Sequence, residues 1–264
     1  TCERLVDMQD SLCVNDLIDL LKREIEVFHY DILDSTSTEA RRMIKSGAVD
    51  GEDDFVVAAD SQTSGRGRHG NSFISYDDRG LYFTYVIHGL SKNNEIRDIL
   101  TTLVAVAVAD SLNSLIFDKE ERSAKVKWVN DIYAGDRKVC GILSEALDDR
   151  VLIGVGINLY EFDVPDELKD KVGFVCPSEP CKTALMAEII NRTDDLIRSS
   201  THDKIIERVR EMSYIIGKNI SFTENNVAFE GEAIAIEDDG ALKVRISDGS
   251  YKILRSGEVS INFK

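Results

Sequence analysis

Apolar positions along the chain recur in two rhythms, and the rhythms divide it into segments. In residues 14–28, VNDLIDLLKREIEVF, the side chains Leu17, Leu20, Leu21, Ile25 and Phe28 fall at helical spacing and predict a helix. HYDILDSTSTEARRMIKSG follows, reading as a short strand, a serine/threonine turn and a second helix. Gly47 is placed to stop that helix, because glycine enters the left-handed C-cap conformation without steric cost. DFVVAADSQ and GLYFTYVIHGL are rich in β-branched and aromatic residues and predict strands. Residues 99–116 are nearly all apolar, which predicts a central helix buried on most sides. AKVKWVNDIYAGDRKVCGILSEAL reads as strand, turn at Ala134–Gly135–Asp136, strand. RVLIGVGINLY is a further strand, whose glycines leave room for a close approach. Helical spacing returns over residues 182–212, through Leu185, Ile189, Ile190, Leu196, Ile205, Ile206 and Val209. From Gly217 onward short strands alternate with turns.

This pattern predicts an α+β protein in three parts: a helical extension over residues 1–28, a large domain over 29–215, and a small all-β module of the SH3-like barrel type over 216–264. The 264 residues, 43% hydrophobic, suffice for one large core and one small one. A formal net charge of −16 argues against a general nucleic-acid binder, which needs a cationic face. The longest apolar stretch, ILTTLVAVAVADSLNSLIF, is broken by Thr101, Thr102, Asp110, Ser111, Asn113 and Ser114, so no membrane span is expected. The opening TCERLVDMQDSLCVND is charged and has no apolar core of a signal peptide. The five cysteines, Cys2, Cys13, Cys140, Cys176 and Cys181, form no C-x-x-C, and the C-x4-C pair lacks two further metal ligands nearby. Reduced thiols in a cytoplasmic protein are the expectation.

Against this acidic background SGRGRHGNSF, residues 64–73, gathers three glycines, two arginines and a histidine. A glycine-rich segment after a strand can turn its N–H groups around an anion, and Arg66 and Arg68 add forked donors for phosphate or carboxylate. Gln62 and Phe73 flank the cations with a polar and an aromatic group. A solvated surface turn is the plain alternative. The second constellation is KWVNDI, residues 127–132, with RKVCGILSE, 137–145. Lys127 and Lys138 fall on opposite arms of the expected hairpin, and Asn130 and Asp131 fall mid-strand, where both have poor propensity. An Asn–Asp pair beside cations can hold Mg²⁺ on a triphosphate. Asn158 closes the third, GVGIN.

Together these motifs resemble the biotin protein ligases. The Ser35–Thr36–Ser37 turn is similar to the family's STN, the loop from Gly65 to Phe73 to GRGRxGRxW, KWVNDI to KWPNDI, RKVCGILSE to RKxxGILxE, and GVGIN to GxGIN, all in the family's order across residues 30–160. Ser37 stands where the family has Asn, Asn71 at an arginine, Phe73 at a tryptophan and Val129 at a proline. The resemblance implies a mixed-sheet catalytic domain of the class II aminoacyl-tRNA-synthetase and biotin-ligase type with a C-terminal SH3-like β-barrel. It implies ATP-dependent formation of biotinyl-5′-AMP and transfer of biotin to a lysine of a biotin carboxyl carrier protein. Lys138, Asp131 and Arg68 are then the catalytic residues. Ser35, Thr36, Ser37, Gln62, Arg66, Gly67, Arg68, Lys138 and Gly141 surround biotin. Arg66, Arg68, Phe73, Lys127, Trp128, Asn130, Lys138 and Asn158 surround ATP and the adenylate, with Mg²⁺ arriving with ATP. The alternatives are a lipoate or octanoate ligase on the same fold and a non-catalytic regulator that binds biotinyl-AMP. The segment before HYDILDSTS holds one helix, so the DNA-binding winged helix of some members is not expected; a homodimer through the central sheet is.

Overall fold

The computed structural model describes residues 10–49, 51–90, 94–117, 122–179 and 181–262. The large domain is built on a seven-stranded sheet of β1 (Glu26–Leu33), β2 (Phe55–Gln62), β3 (Gly80–His88), β4 (Ala124–Lys127), β5 (Asp131–Ala134), β6 (Arg137–Leu147) and β7 (Arg150–Asn158), ordered β1-β2-β3-β7-β6-β5-β4. Only β1 and β2 are parallel.

Strand alternation gives the sheet two faces. One is covered by α3 (Asn94–Leu115), with α4 (Lys182–Ser199) and α5 (His202–Glu211) packed on α3, and Val56, Phe83, Tyr85, Ile142, Ile153 and Val155 belong to the core there. The near-continuous apolar α3 is the expected central helix. It is long and apolar enough to cross a membrane by composition, but 67% of its apolar window is buried inside the protein. The other face carries α2 (Thr36–Ser46), whose Ala40 and Met43 pack on Phe55, Val57, Val86 and Leu152. Gly47 ends α2 in the left-handed region at φ 69°, as its position predicted. α2 covers only one end of this face, and the uncovered remainder is the site described below.

Two expectations need correction. The helix predicted for residues 14–28 stops early: α1 is Val14–Leu20, and Glu26 already opens β1, so the proposed boundary at residue 28 falls inside a strand. Asn191 of α4 explains the stop, donating from Nδ2 to Leu20 O and accepting from Lys22 N–H, both at 2.9 Å. Residues 1–9 of that extension lie outside the described residues. The expected single strand through KWVNDI is two strands. The chain turns at Trp128–Asn130, so Asn130 sits in the turn and Asp131 starts β5. The peptide between Trp128 and Val129 is cis.

The C-terminal module is a five-stranded antiparallel sheet of β8 (Asn219–Glu224), β9 (Val227–Ile236), β10 (Leu242–Ile246), β11 (Tyr251–Leu254) and β12 (Val259–Ile261), with β11 and β12 at its edges. It is joined to the large domain by polar contacts that end on its backbone. Trp128 Nε1 donates to Gly240 O at 2.9 Å, and Arg210 Nε to Ile236 O at 2.8 Å. Cys13, Cys140 and Cys181 are free thiols.

Candidate active site

The uncovered sheet face is floored by glycine. Gly141 on β6 pairs with Gly156 on β7, Gly154 lies two residues away on the same face, and Tyr82 and Thr84 of β3 continue the rows. Missing side chains make this a trough, and its neighbours use the space. A Cβ on Gly156 would lie 2.7 Å from the Phe73 ring, and one on Gly154 would lie 2.9 Å from Ser37 Oγ.

The trough opens into two adjoining clefts. The first has a cavity volume of about 110 Å³ and a polar end made by Ser35, Thr36, Ser37 and Gln62. Asn71, Ser72, Phe73, Asp131, Lys138 and Glu258 line both clefts, and Lys127, Tyr133, Asn158 and Lys171 line the second.

The glycine-rich segment forms the roof as a miniature hairpin. Phe73 N–H donates to Gly65 O and Gly67 N–H to Asn71 O, and a short 3-10 turn over Arg68–Gly70 closes it. Gly65 is required here, since a Cβ would lie 2.4 Å from Phe73 O. Arg68 reaches across to donate to Asn130 Oδ1 at 3.1 Å, and Asn130 in turn donates from Nδ2 to Ile142 O. Arg66 is half exposed and only grazes Glu145 at 3.5 Å, leaving its guanidinium available to a ligand.

Asp131 is the electrostatic centre. The extra turn sets β5 between the strands that carry the two lysines. Lys138 Nζ lies 2.7 Å from Asp131 Oδ1 and Lys127 Nζ lies 3.8 Å from Oδ2. Burial holds the Lys127 ammonium below its ordinary pKa, and Asp131 pulls the other way. Burial also pushes the neighbouring Tyr133 phenol up to about 12. A carboxylate paired with two lysines on a glycine floor, beneath an arginine-bearing loop, can receive an anion and then accept a proton once a lysine is drawn away.

Comparison with known proteins agrees with this chemistry. Residues 31–159 match the biotin/lipoate A/B protein ligase family, and residues 215–261 match the biotin protein ligase C terminal domain. The chain thus carries a biotin/lipoate A/B protein ligase domain followed by a biotin protein ligase C-terminal domain. Bifunctional ligase/repressor BirA of Bacillus subtilis is 29% identical over 95% of this chain and 79% of its own length. Biotin–[acetyl-CoA-carboxylase] ligase of Mycobacterium tuberculosis is 30% identical over 51% of this chain and 48% of its own. A biotin protein ligase from Aquifex aeolicus, solved with biotin and ATP, superposes with a TM-score of 0.72 at 22% identity, covering 90% of this chain and 99% of that one.

For a ligase of this family the structure gathers most of the residues expected from the sequence. Ser35, Thr36, Ser37, Gln62, Arg66, Gly67, Arg68, Asn130, Lys138 and Gly141 line the first cleft, and Lys127 and Asn158 the second, with Phe73 between them. Trp128 is the exception: it lines neither cleft, is 4% exposed, and spends its indole N–H on the C-terminal module. The turn before β5 points it there. Asn130 and Asp131 do not form the expected Mg²⁺ pair. Both amide ends of Asn130 are committed within the protein, and Asp131 faces two ammonium groups. No group of three or more His, Cys, Asp or Glu gathers for a metal among the described residues.

Sequence reasoning missed Glu258 and Thr84. Glu258 reaches both clefts from the turn before β12, and nothing in SGEVSI marks it out. Thr84 had a signal: the one aliphatic hydroxyl within the apolar strand GLYFTYVIH, fully buried in the structure.

Proposed function

We propose that this chain is an ATP-dependent biotin–protein ligase. The observation that carries the reading is the Lys138–Asp131 pair on the glycine floor, at the junction of a cleft with a hydroxyl-rich end and a second cleft lined by lysines. The polar end suits the ureido head of biotin, and the junction suits its carboxylate. A carboxylate oxygen attacks the α-phosphorus of ATP, pyrophosphate leaves, and biotinyl-5′-AMP remains. Two anions meet in that step, so charge neutralisation is its main demand. Lys138, Arg66 and Arg68 supply the positive charge. In the second step a lysine amine of a biotin carboxyl carrier domain attacks the acyl carbon and AMP departs. Asp131 takes the amine's proton. It is free to do so because Lys138 has moved its ion pair to the ligand.

A lipoate or octanoate ligase is the sibling reading. The first cleft favours biotin, because Ser35, Thr36, Ser37 and Gln62 offer donors and acceptors that a dithiolane or alkyl end cannot use. The retained Lys138 and Asp131 favour an enzyme over a binding regulator. A cytoplasmic location suits the free thiols, and the exposed edge strand β1 offers a surface for a second copy of the chain.

The experiment is pyrophosphate release from ATP by the full chain, followed by single-turnover transfer to a carrier domain. Release that requires biotin, with labelled biotin on the carrier lysine, is the expected result. Release with lipoate or octanoate in place of biotin would transfer the assignment to the sibling. Absence of release with any of the three acids would remove the catalytic reading.

A further inference from the structure

Thr84 sits under the N-terminus of α2, at the middle of β3, with no exposed surface. Its Oγ1 lies 2.9 Å from Thr36 Oγ1 and 3.0 Å from Ser37 Oγ. Thr36 and Ser37 line the first cleft; Thr84 does not. Gly154, opposite Thr84 on β7, leaves the space that Ser37 Oγ occupies. The group is tied sideways as well. Thr36 N–H donates to Gln62 Oε1 at 3.0 Å, and Gln62 Nε2 donates to Ser75 Oγ at 2.9 Å.

A hydroxyl has one proton and two lone pairs, so three wirings use both short contacts; the one in which Thr84 accepts from both neighbours leaves its own buried proton with no partner among the described hydrogen bonds, and two remain. In one, Thr36 donates to Thr84 and Thr84 donates to Ser37. The Ser37 proton is then free to point into the cleft, and Thr36 keeps a lone pair there. In the other, Ser37 donates to Thr84, Thr84 donates to Thr36, and the Thr36 proton is left with a 3.4 Å reach to Gln62 Oε1. That oxygen already accepts the shorter bond from Thr36 N–H. The first wiring leaves its spare proton where a ligand can take it; the second leaves it on a long contact.

The geometry points to Thr84 as a positioning residue for ligand specificity: it fixes Ser37 as a hydrogen-bond donor and Thr36 as an acceptor toward a cyclic urea. A urea presents a carbonyl acceptor beside an N–H donor, so the two wall hydroxyls match it as a pair. The inference rests on the biotin reading above. It goes beyond that reading by assigning the recognition polarity to a residue that does not touch the ligand. It also gives Ser37 a role suited to its short side chain, with its oxygen held back against β3.

The test uses the full chain with Thr84→Val, which keeps the shape and removes the hydroxyl, Thr84→Ser, which keeps the hydroxyl, and Thr84→Ala as a second deletion. Biotin, ATP and the 2-imino analogue of biotin, which replaces the urea oxygen, are titrated separately. Thr84→Val and Thr84→Ala are expected to weaken biotin by roughly 10–100-fold, the range for a buried hydrogen-bond defect, with ATP affinity unchanged. Both should also narrow the preference for biotin over the imino analogue. Thr84→Ser should restore affinity and preference. Unchanged biotin affinity in both deletions would overturn the inference and leave the biotin reading intact. Equal weakening of biotin and ATP, or an unchanged preference, would reduce Thr84 to a packing residue. Wild-type chain that binds no biotin would overturn the functional reading and this inference with it. If Thr84→Val does not fold, the Ala and Ser variants decide the matter on the same preference ratio.

Discussion

Replacing Trp128 by phenylalanine separates the two roles that its sequence and its structure assign. In the structure its indole is 4% exposed and donates to Gly240 O at 2.9 Å. Phenylalanine leaves that half-buried carbonyl without the indole donor, which costs about 1 kcal/mol. The lost ring volume adds on the order of 1 kcal/mol of cavity. A destabilisation of about 2 kcal/mol corresponds to a fall in Tm of roughly 4–8 °C for a protein of this size. Calorimetry reads that shift directly. Biotin-dependent pyrophosphate release, assayed well below the transition, should keep kcat/KM within about threefold of wild type, because no transition-state contact is removed. The reasoning is refuted if Trp128→Phe melts like wild type while adenylation falls more than about tenfold, since that pattern describes a residue touching the nucleotide.

Asp131→Asn should leave biotinyl-AMP formation in place and slow transfer from preformed adenylate by about 10²–10⁴, the usual loss for a general base; unchanged transfer would remove Asp131 from the catalytic set. The same substitution takes away the attraction that raises Lys127, so the Lys127 pKa should fall further below its ordinary value, as NMR of the labelled lysine would show. Gly156→Ala drives a Cβ to 2.7 Å from the Phe73 ring, so its destabilisation should be relieved in the double variant with Phe73→Ala; additive effects in that cycle would mean the two do not touch. The His29–Asp60 pair, with Nε2 and Oδ1 3.0 Å apart, gives a pH dependence. The hydrogen bond to Asp60 raises the His29 pKa, so its stabilisation is full below the unfolded value of about 6.5 and is lost as pH rises through the higher folded value. Asp60→Asn should therefore cost stability at pH 5.5 and little at pH 9, in denaturant melts at both.

The long periodic elements were legible in the sequence because one rhythm dominates each. α3 is apolar all round, β3 and β7 are continuous runs, and Gly47 marks the end of α2. The failures lie where a tertiary contact overrides a local pattern. Ile25 and Phe28 continue the helical spacing of α1, yet Asn191 ends that helix and β2 draws the following residues into a parallel strand. The Gly135 turn is as expected, but it does not forbid another turn at Trp128–Asn130, and that one decides which neighbours Asp131 receives. Lys138, Arg68 and Ser35–Ser37 were readable because motif and chemistry coincide. Glu258 was not, since a single acid in a turn of a remote module carries no mark of the site it reaches.

The glycine floor also sets where this sheet is weakest. Gly141 and Gly156 are directly paired and Gly154 is close by, so adjacent strands β6 and β7 lack side-chain packing along one stretch. Each glycine within a strand also forfeits about 0.5–1 kcal/mol relative to alanine through backbone entropy. The usual remedy, substitution by alanine, is closed at Gly154 and Gly156 because Ser37 and Phe73 occupy the space. Backbone amides along this stretch should therefore exchange with solvent sooner than those at the apolar ends of the same strands, and a ligand filling the trough should slow them. The route to greater thermal resistance therefore runs through the helices and the C-terminal module, where the steric block at Gly154 and Gly156 does not apply.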